Sequence, residues 1–216
     1  MLNQDTKEEL TNIFTGSWDV QEATLPNGQP GYTGTIAIRP NRHVFDLIWA
    51  ITAGQYVGIG LSTGSHLLVS CGEQRSGLGI ALYQAHPDRK VSVLWSTPDL
   101  QGAVGIGEFT SSFPGSFEGE HQLIQYLPDG SLHGQWTLNI QKTGNVFAIT
   151  WRRGEAVHFT GLGLEIDDGI AVGWYPDISQ LAFLDYTVDP TGLDRLMATW
   201  GLGGITSLGT EVLVRK

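Results

Sequence analysis

The feature that most limits what this chain can fold into is that it repeats itself. Phe14-Thr15-Gly16-Ser17-Trp18 returns as Phe113-Pro114-Gly115-Ser116-Phe117, and Pro26-Asn27-Gly28 returns as Pro128-Asp129-Gly130. Val44-Phe45-Asp46-Leu47-Ile48-Trp49 comes back as Val146-Phe147-Ala148-Ile149-Thr150-Trp151, and Tyr56-Val57-Gly58-Ile59-Gly60-Leu61 as Phe159-Thr160-Gly161-Leu162-Gly163-Leu164. Tyr83 answers to Tyr186, Trp95 to Trp200, and Gly107-Glu108-Phe109 roughly to Thr210-Glu211-Val212. The offset between landmarks is nearly constant, which coincidence among turn words does not produce. Such self-similarity means one structural unit used twice. Module one covers residues 14–111 and module two covers 113–216, joined at Ser111-Ser112.

Inside each module the apolar residues recur at period two, the signature of half-buried strands. Phe45, Leu47 and Trp49 fall on one face and are kept in the copy as Phe147, Ile149 and Trp151. The other face changes from Val44, Asp46 and Ile48 to Val146, Ala148 and Thr150, so the kept face is the packed one. Asn27-Gly28, Asp129-Gly130, Thr143-Gly144 and Asp168-Gly169 supply hairpin or short-loop chemistry. Turn punctuation divides module one into eight strands, near 17–23, 32–39, 43–51, 55–61, 66–71, 78–85, 91–97 and 103–110. Module two divides near 118–127, 131–141, 145–152, 156–165, 170–175, 181–188, 194–200 and 207–215. Consecutive short hairpins predict an antiparallel meander, and eight such strands close into a small barrel that leaves no edge exposed. The expected fold is all-β: two tandem eight-stranded antiparallel meander modules preceded by a short N-terminal helix within residues 1–13. Asp5 caps that helix, with Leu10 and Ile13 on one side.

Composition sets the function classes aside one by one. Hydrophobic residues make up 41% of 216, ample for packed cores, while 29 glycines suit many tight turns. Asp and Glu outnumber Lys and Arg by 22 to 12, for a net charge of −10. That sign repels phosphate backbones and anionic headgroups, so neither nucleic acid nor a membrane surface is the expected partner. With Cys71 the single cysteine, no intrachain disulfide forms. The first residues lack a basic stretch followed by an apolar one, and a cytoplasmic location is expected.

Gly16-Ser17-Trp18, at the start of the first strand, resembles the G-x-W signature of calycins, the superfamily of lipocalins, fatty-acid-binding proteins and avidins. What that resemblance implies is a small meander barrel whose lumen holds one ligand. Module two has Gly115-Ser116-Phe117 there, so its tryptophan is replaced. Over nearly the whole chain the sequence is similar to a group of uncharacterised bacterial tandem β-repeat proteins. Their patterns read G-x-Y-x-G-T-x-x-I, F-x-L-x-W, Y-x-G-x-G-L and G-T-E-x-L. Here the corresponding stretches are Gly31 to Ile36, which keeps the Tyr and the Gly-Thr of the first pattern but not its full spacing, Phe45 to Trp49, Tyr56 to Leu61 and Gly209 to Leu213. The likeness implies a fold and almost no chemistry.

The chain offers little to the common reactive constellations. Gly58-Ile59-Gly60 with Gly64 has the wrong spacing for a phosphate loop and no helix after it; its recurrence as Gly161 and Gly163 marks a scaffold feature that lets rings lie over the backbone. The six histidines are scattered and none pair at metal-ligand spacing. No G-x-S-x-G occurs, and Cys71 reads as a small buried hydrophobe. Glu108 and Glu211, in the last strand of each module, read as a repeated structural contact. Trp136, Trp174 and Tyr175 have no aromatic counterpart in module one, and the Arg152-Arg153 pair is also unique to module two. Residues peculiar to one copy are where a duplicated scaffold acquires function, which makes Trp136, Arg152, His158, Trp174 and Tyr175 the candidate ligand-binding set. The expected function is therefore non-catalytic: a binding protein holding a small hydrophobic or amphipathic ligand in a β-barrel, with no cofactor and no metal. The alternative is a structural or protein-interaction module acting through its surface or by self-assembly, as in a homodimer.

Overall fold

The structure is a computed structural model and describes residues 13–216. The helix expected within residues 1–13 lies outside the described residues, Ile13 excepted. All sixteen predicted strands are present. They are β1 (Gly16–Thr24), β2 (Gly34–Asn41), β3 (Val44–Ile51), β4 (Gly54–Thr63), β5 (His66–Gly72), β6 (Gly79–Ala85), β7 (Val91–Ser96) and β8 (Gly105–Phe109). The second half supplies β9 (Gly119–Tyr126), β10 (Leu132–Thr143), β11 (Val146–Arg153), β12 (Ala156–Ile166), β13 (Gly169–Trp174), β14 (Ala182–Val188), β15 (Arg195–Leu202) and β16 (Gly209–Arg215). They form two closed antiparallel barrels of eight strands each.

The repeat boundary is not the barrel boundary, and the expectation of one barrel over 14–111 and another over 113–216 is corrected. Strands β6 to β13 close on themselves through the β13–β6 pair, giving a continuous barrel cut from the middle of the chain. The split barrel is built from β1–β5 and β14–β16, closing through β5–β14 and β16–β1. Each repeat thus keeps five strands at home and gives three away. The physical reason is that β6 and β14 are equivalent, so either one can satisfy β5 with the same ladder. Exchange is decided by the linkers 73–78 and 175–181, which carry the chain across rather than back. They pass close to each other: a Cβ on Gly77, at φ +81°, would lie 2.5 Å from the Pro176 ring. Only glycine fits there.

Side-chain alternation sorts each barrel into three environments. The lumen of the split barrel holds Trp18, Ile36, Leu47, Val69, Tyr186 and Leu213, among others. That of the continuous barrel holds Tyr83, Val93, Leu123, Leu138, Ile149 and Val172. Phe45, Leu47 and Trp49 are buried as predicted, and so are Phe147, Ile149 and Trp151. A third apolar layer, made of outward-facing Ile59, Leu68, Ile80, Leu162, Ala171 and Phe183, is buried between the barrels. Strands β5 and β13 are therefore buried on both faces along most of their length. Among the described residues, no helix is long and apolar enough to cross a membrane.

One end of each barrel is plugged. Phe14 and Trp18 close the split barrel, with the Arg215 guanidinium 4.2 Å from the Trp18 ring centre and donating to the backbone carbonyls of Ile13 and Thr15. Phe109, Phe113, Phe117 and His121 close the continuous barrel, where His121 Nε2 lies 2.8 Å from the Phe117 carbonyl. The opposite ends are hollow.

Candidate functional site

Each barrel opens at its unplugged end into a cavity, about 390 Å³ in the continuous barrel and about 310 Å³ in the split one. The two start from the same scaffold. Trp95 lies against Gly105 and Trp151 against Gly161 in the continuous barrel, as Trp200 lies against Gly209 and Trp49 against Gly58 in the split one. A Cβ on any of these glycines would come within 2.8 Å of an indole ring atom, so the rings use the space that glycine leaves. Even the indole hydrogen bonds repeat: Trp95 Nε1 donates to the Ile106 carbonyl and Trp200 Nε1 to the Thr210 carbonyl, each at 3.3 Å.

The cavities then diverge, and strand register identifies each substitution. Gly58 faces Cys71 in the split barrel where Gly161 faces Trp174 in the continuous one, so Trp174 stands in the place of Cys71. The pairs Ile36–Trp49 and Leu138–Trp151 align Trp136 with Gly34 and Gly134 with Tyr32. The continuous barrel therefore carries four indoles, Trp95, Trp136, Trp151 and Trp174, with Phe159 completing the wall. Trp151 and Trp174 have ring centres 5.6 Å apart, and Phe159 sits 5.5 Å from Trp136. Their tilted and edge-on geometries are the favourable ones for aromatic pairs.

Polar groups on this cavity are few. Gln125 is buried, Thr97 and Asp99 contribute from the short turn after β7, and His133 packs 4.5 Å from Trp95. The Arg153 guanidinium lies over Trp136, 4.4 Å from the ring centre. Burial, with Arg153 beside it, holds the His133 imidazole below its usual range, which favours its neutral form. Trp136 Nε1 is buried without a hydrogen-bond partner among the described residues.

The structure distributes the five sequence candidates unequally. Trp136 and Trp174 both line the cavity, and His158 packs edge-on against Trp136 at 5.6 Å. Arg152 does not join them. Alternation puts Arg153, not Arg152, on the side of Trp151, and Arg152 is exposed outside. Tyr175 is also elsewhere: it follows the last residue of β13 and is buried in the layer between the barrels, against Gly72. A strand with two buried faces defeats the inference that an aromatic next to a pocket residue shares its pocket.

The split barrel holds a group that the repeat alignment concealed. Trp95 faces Gly105 and Trp200 faces Gly209, which aligns Glu211 with Gly107 rather than with Glu108. Glu108 is exposed, matches Val212 and has no structural twin in Glu211. Glu211 is 1% exposed. Its carboxylate accepts from the Tyr32 hydroxyl at 2.6 Å and from the Tyr186 hydroxyl at 2.5 Å. Burial pushes its pKa up, against the two phenol hydrogen bonds that pull it down. Both phenols are in turn held protonated, by burial first and then by the carboxylate. In the continuous barrel Gly107 faces Gln125, whereas Glu211 faces Ala23. The polar side chain has moved one strand over and lost its charge. Tyr83, the counterpart of Tyr186, is left with a buried hydroxyl that forms no hydrogen bond among the described residues. A one-residue shift in the last strand, from an offset of 103 to one of 104 at the glycine before each Ile/Thr, is the signal that finds this network.

Among the described residues, no group of three or more His, Cys, Asp or Glu is placed to hold a metal ion. Compared with protein-family models, with curated proteins and with solved structures, the chain matches none.

Proposed function

We propose that this protein is a non-catalytic binding protein, a pair of calycin-like barrels of the bacterial tandem β-repeat kind, which holds a small, flat, amphipathic molecule in the cavity of the continuous barrel. The observation that carries the reading is the box of four indoles, two of which the sister cavity lacks. Aromatic walls with a few polar anchors are the common design of small-molecule sites. Each well-stacked ring contributes about 0.5–1.5 kcal/mol beyond area burial. Arg153, poised over Trp136, favours a neutral or anionic head on that molecule. A free, buried Cys71 and a charge of −10 fit a cytoplasmic protein that avoids nucleic acid and anionic membranes.

Native mass spectrometry of freshly purified protein, compared with the denatured sample, tests this directly. A bound mass that leaves on denaturation supports the reading. So does quenching of tryptophan fluorescence by 2-naphthoate that weakens about tenfold in Trp174→Ala and Arg153→Ala but not in Arg152→Ala. A clean apo mass together with no response to the naphthoate would refute it.

One observation favours the second reading, self-assembly. Leu94, Ile106, Tyr126 and Leu132 are register partners across four adjacent strands on the outside of the continuous barrel. Leu94, Ile106 and Leu132 are 39%, 55% and 56% exposed. In the split barrel Thr199, Thr210 and Thr24 take the matching places of the first three. A dimer by light scattering that Ile106→Lys converts to monomer would support this reading.

A further inference from the structure

We propose that the cavity of the split barrel is a second, chemically distinct binding site, which takes an amphipathic monoamine: an apolar ring or short chain between Trp49 and Trp200, with its ammonium group directed to the Tyr32–Glu211 floor. The inference does not rest on the function proposed above, since it concerns the other barrel and the opposite ligand charge.

The walls come first. Trp49, Trp200, Tyr32 and Tyr56 line the cavity together with Leu184 and Cys71, and among the described residues the one charged lining residue is Glu73. Among the described residues, no Lys, Arg or His lines it. Several aromatic faces around an enclosed volume attract a cation through their quadrupoles, and more strongly where water is excluded. Next is the floor. Glu211 lies in a shell of Tyr32, Tyr186 and Cys71, contributed by the approach to β2, by β14 and by β5. Among the described residues it forms no ion pair. A buried carboxylate without a cation is costly, and two phenols ease that cost without cancelling the charge. Both phenols donate to Glu211, so the Tyr32 oxygen, on a residue that also lines the cavity, is left as an acceptor. An ammonium N–H can donate to it and meet the carboxylate field through one phenol.

The sister barrel supplies the control. Its fold closes with Gly107 at the Glu211 position and tolerates a Tyr83 hydroxyl with no partner, so the scaffold does not need the acid. It instead places Arg153 and His133 by its cavity, where the split barrel has neither. Duplication has thus left one site suited to cations and one suited to neutral or anionic molecules. The overall charge of −10 adds a long-range attraction for an amine.

Isothermal titration of the full-length protein at pH 7.5 with three probes of one shape tests the inference: 2-phenylethylamine, 2-phenylethanol and phenylacetate. The amine is expected to bind about tenfold or more tighter than the alcohol, and the carboxylate not to bind in this barrel. In Glu211→Gln the amine should lose that advantage while the alcohol's affinity holds. Cys71→Trp, which introduces the ring that Trp174 supplies in the other barrel, should abolish amine binding, and Trp174→Ala should leave it intact. Equal binding of amine and alcohol, no binding of either, or a preference that survives Glu211→Gln would each overturn the proposal. Should Glu211→Gln fail to fold, Tyr32→Phe takes its place, removing the acceptor oxygen. It is then expected to weaken the amine severalfold more than the alcohol, and an equal effect on both would also overturn the proposal.

Discussion

Tyr83 and Tyr186 stand at the same place in two copies of one barrel, and they offer an internal double experiment. Both are fully buried. Tyr186 donates a short hydrogen bond to Glu211. Tyr83 has the Trp151 indole as a weak polar neighbour but forms no hydrogen bond among the described residues. Replacing each by Phe removes one oxygen from nearly identical packing, so the difference isolates the partner. Loss of a hydrogen bond to a charged, buried carboxylate costs about 1.5–3 kcal/mol, and the stranded acceptor is what makes it expensive. Removing an unpaired hydroxyl instead recovers a desolvation penalty of about 1–3 kcal/mol, less the dispersion attraction forfeited to a void the size of one oxygen, so Tyr83→Phe should be neutral or stabilising by up to about 1 kcal/mol. The expected contrast is about 2–4 kcal/mol. At about 2–4 °C per kcal/mol for a chain of this size, the melting temperatures of the two variants should differ by about 5–15 °C. The assay is urea unfolding followed by tryptophan fluorescence, with unchanged m as the check that one transition is compared. One transition is expected because strands exchanged between the barrels tie their unfolding together. Equal losses in the two variants, or a greater loss in Tyr83→Phe, would show that the Glu211 network is not what stabilises Tyr186.

Two further outcomes follow from the same geometry. Because burial raises the Glu211 pKa above its ordinary value, the folded chain holds that proton more tightly than the unfolded one. The sign is then fixed: this contribution is full below the unfolded glutamate pKa and is lost as pH rises through the folded one. The stability of the native chain relative to Glu211→Gln should therefore fall between about pH 4 and the raised value, measured as urea midpoints in parallel, and a flat difference would refute it. The second concerns strand exchange: a fragment spanning residues 14–112 should be a dimer by light scattering, two copies trading their β6–β8 strands as the two repeats do here. A folded monomer would show that the linker 73–78 can turn back within one barrel.

Much of this architecture is legible in the sequence, and the reason is local. Strand positions, the packed faces of β3 and β11 and the barrel class follow from alternation and turn chemistry, which act over a few residues. What stays hidden depends on choices that leave local patterns unchanged. An exchanged barrel and an unexchanged one have the same ladders, so no residue pattern in β5 or β6 distinguishes them; the crossing of Gly77 past Pro176 does, and it is tertiary. Trp136 and Trp174 stand out in the sequence because the other repeat has no aromatic counterpart to them, and both line the cavity. Arg152 and Tyr175 follow from adjacency instead of from face, and the alternation that places Trp151 inside selects Arg153.

The exchange also governs how the two cavities could diverge. In the split barrel Tyr32 and Cys71 come from the first repeat while Tyr186, Trp200 and Glu211 come from the second. In the continuous barrel Trp95 comes from the first repeat while Trp136, Trp151 and Trp174 come from the second. A substitution in either repeat therefore changes one cavity only, and which cavity is set by whether it falls before or after the linker. Glu211 on β16 reaches the split barrel alone, and Gly107 on β8 the continuous barrel alone. Had the barrels followed the repeats, Glu211 would face Gln125 on β9, putting a carboxylate and an amide side by side in one lumen and neither in the other. Exchange instead sets Glu211 across from Ala23 and Gln125 across from Gly107, so each lumen holds one polar side chain at this level, paired with the small residue that makes room for it. This complementarity holds only for the exchanged pairing, and it marks strand exchange as the arrangement to which both lumens are adapted.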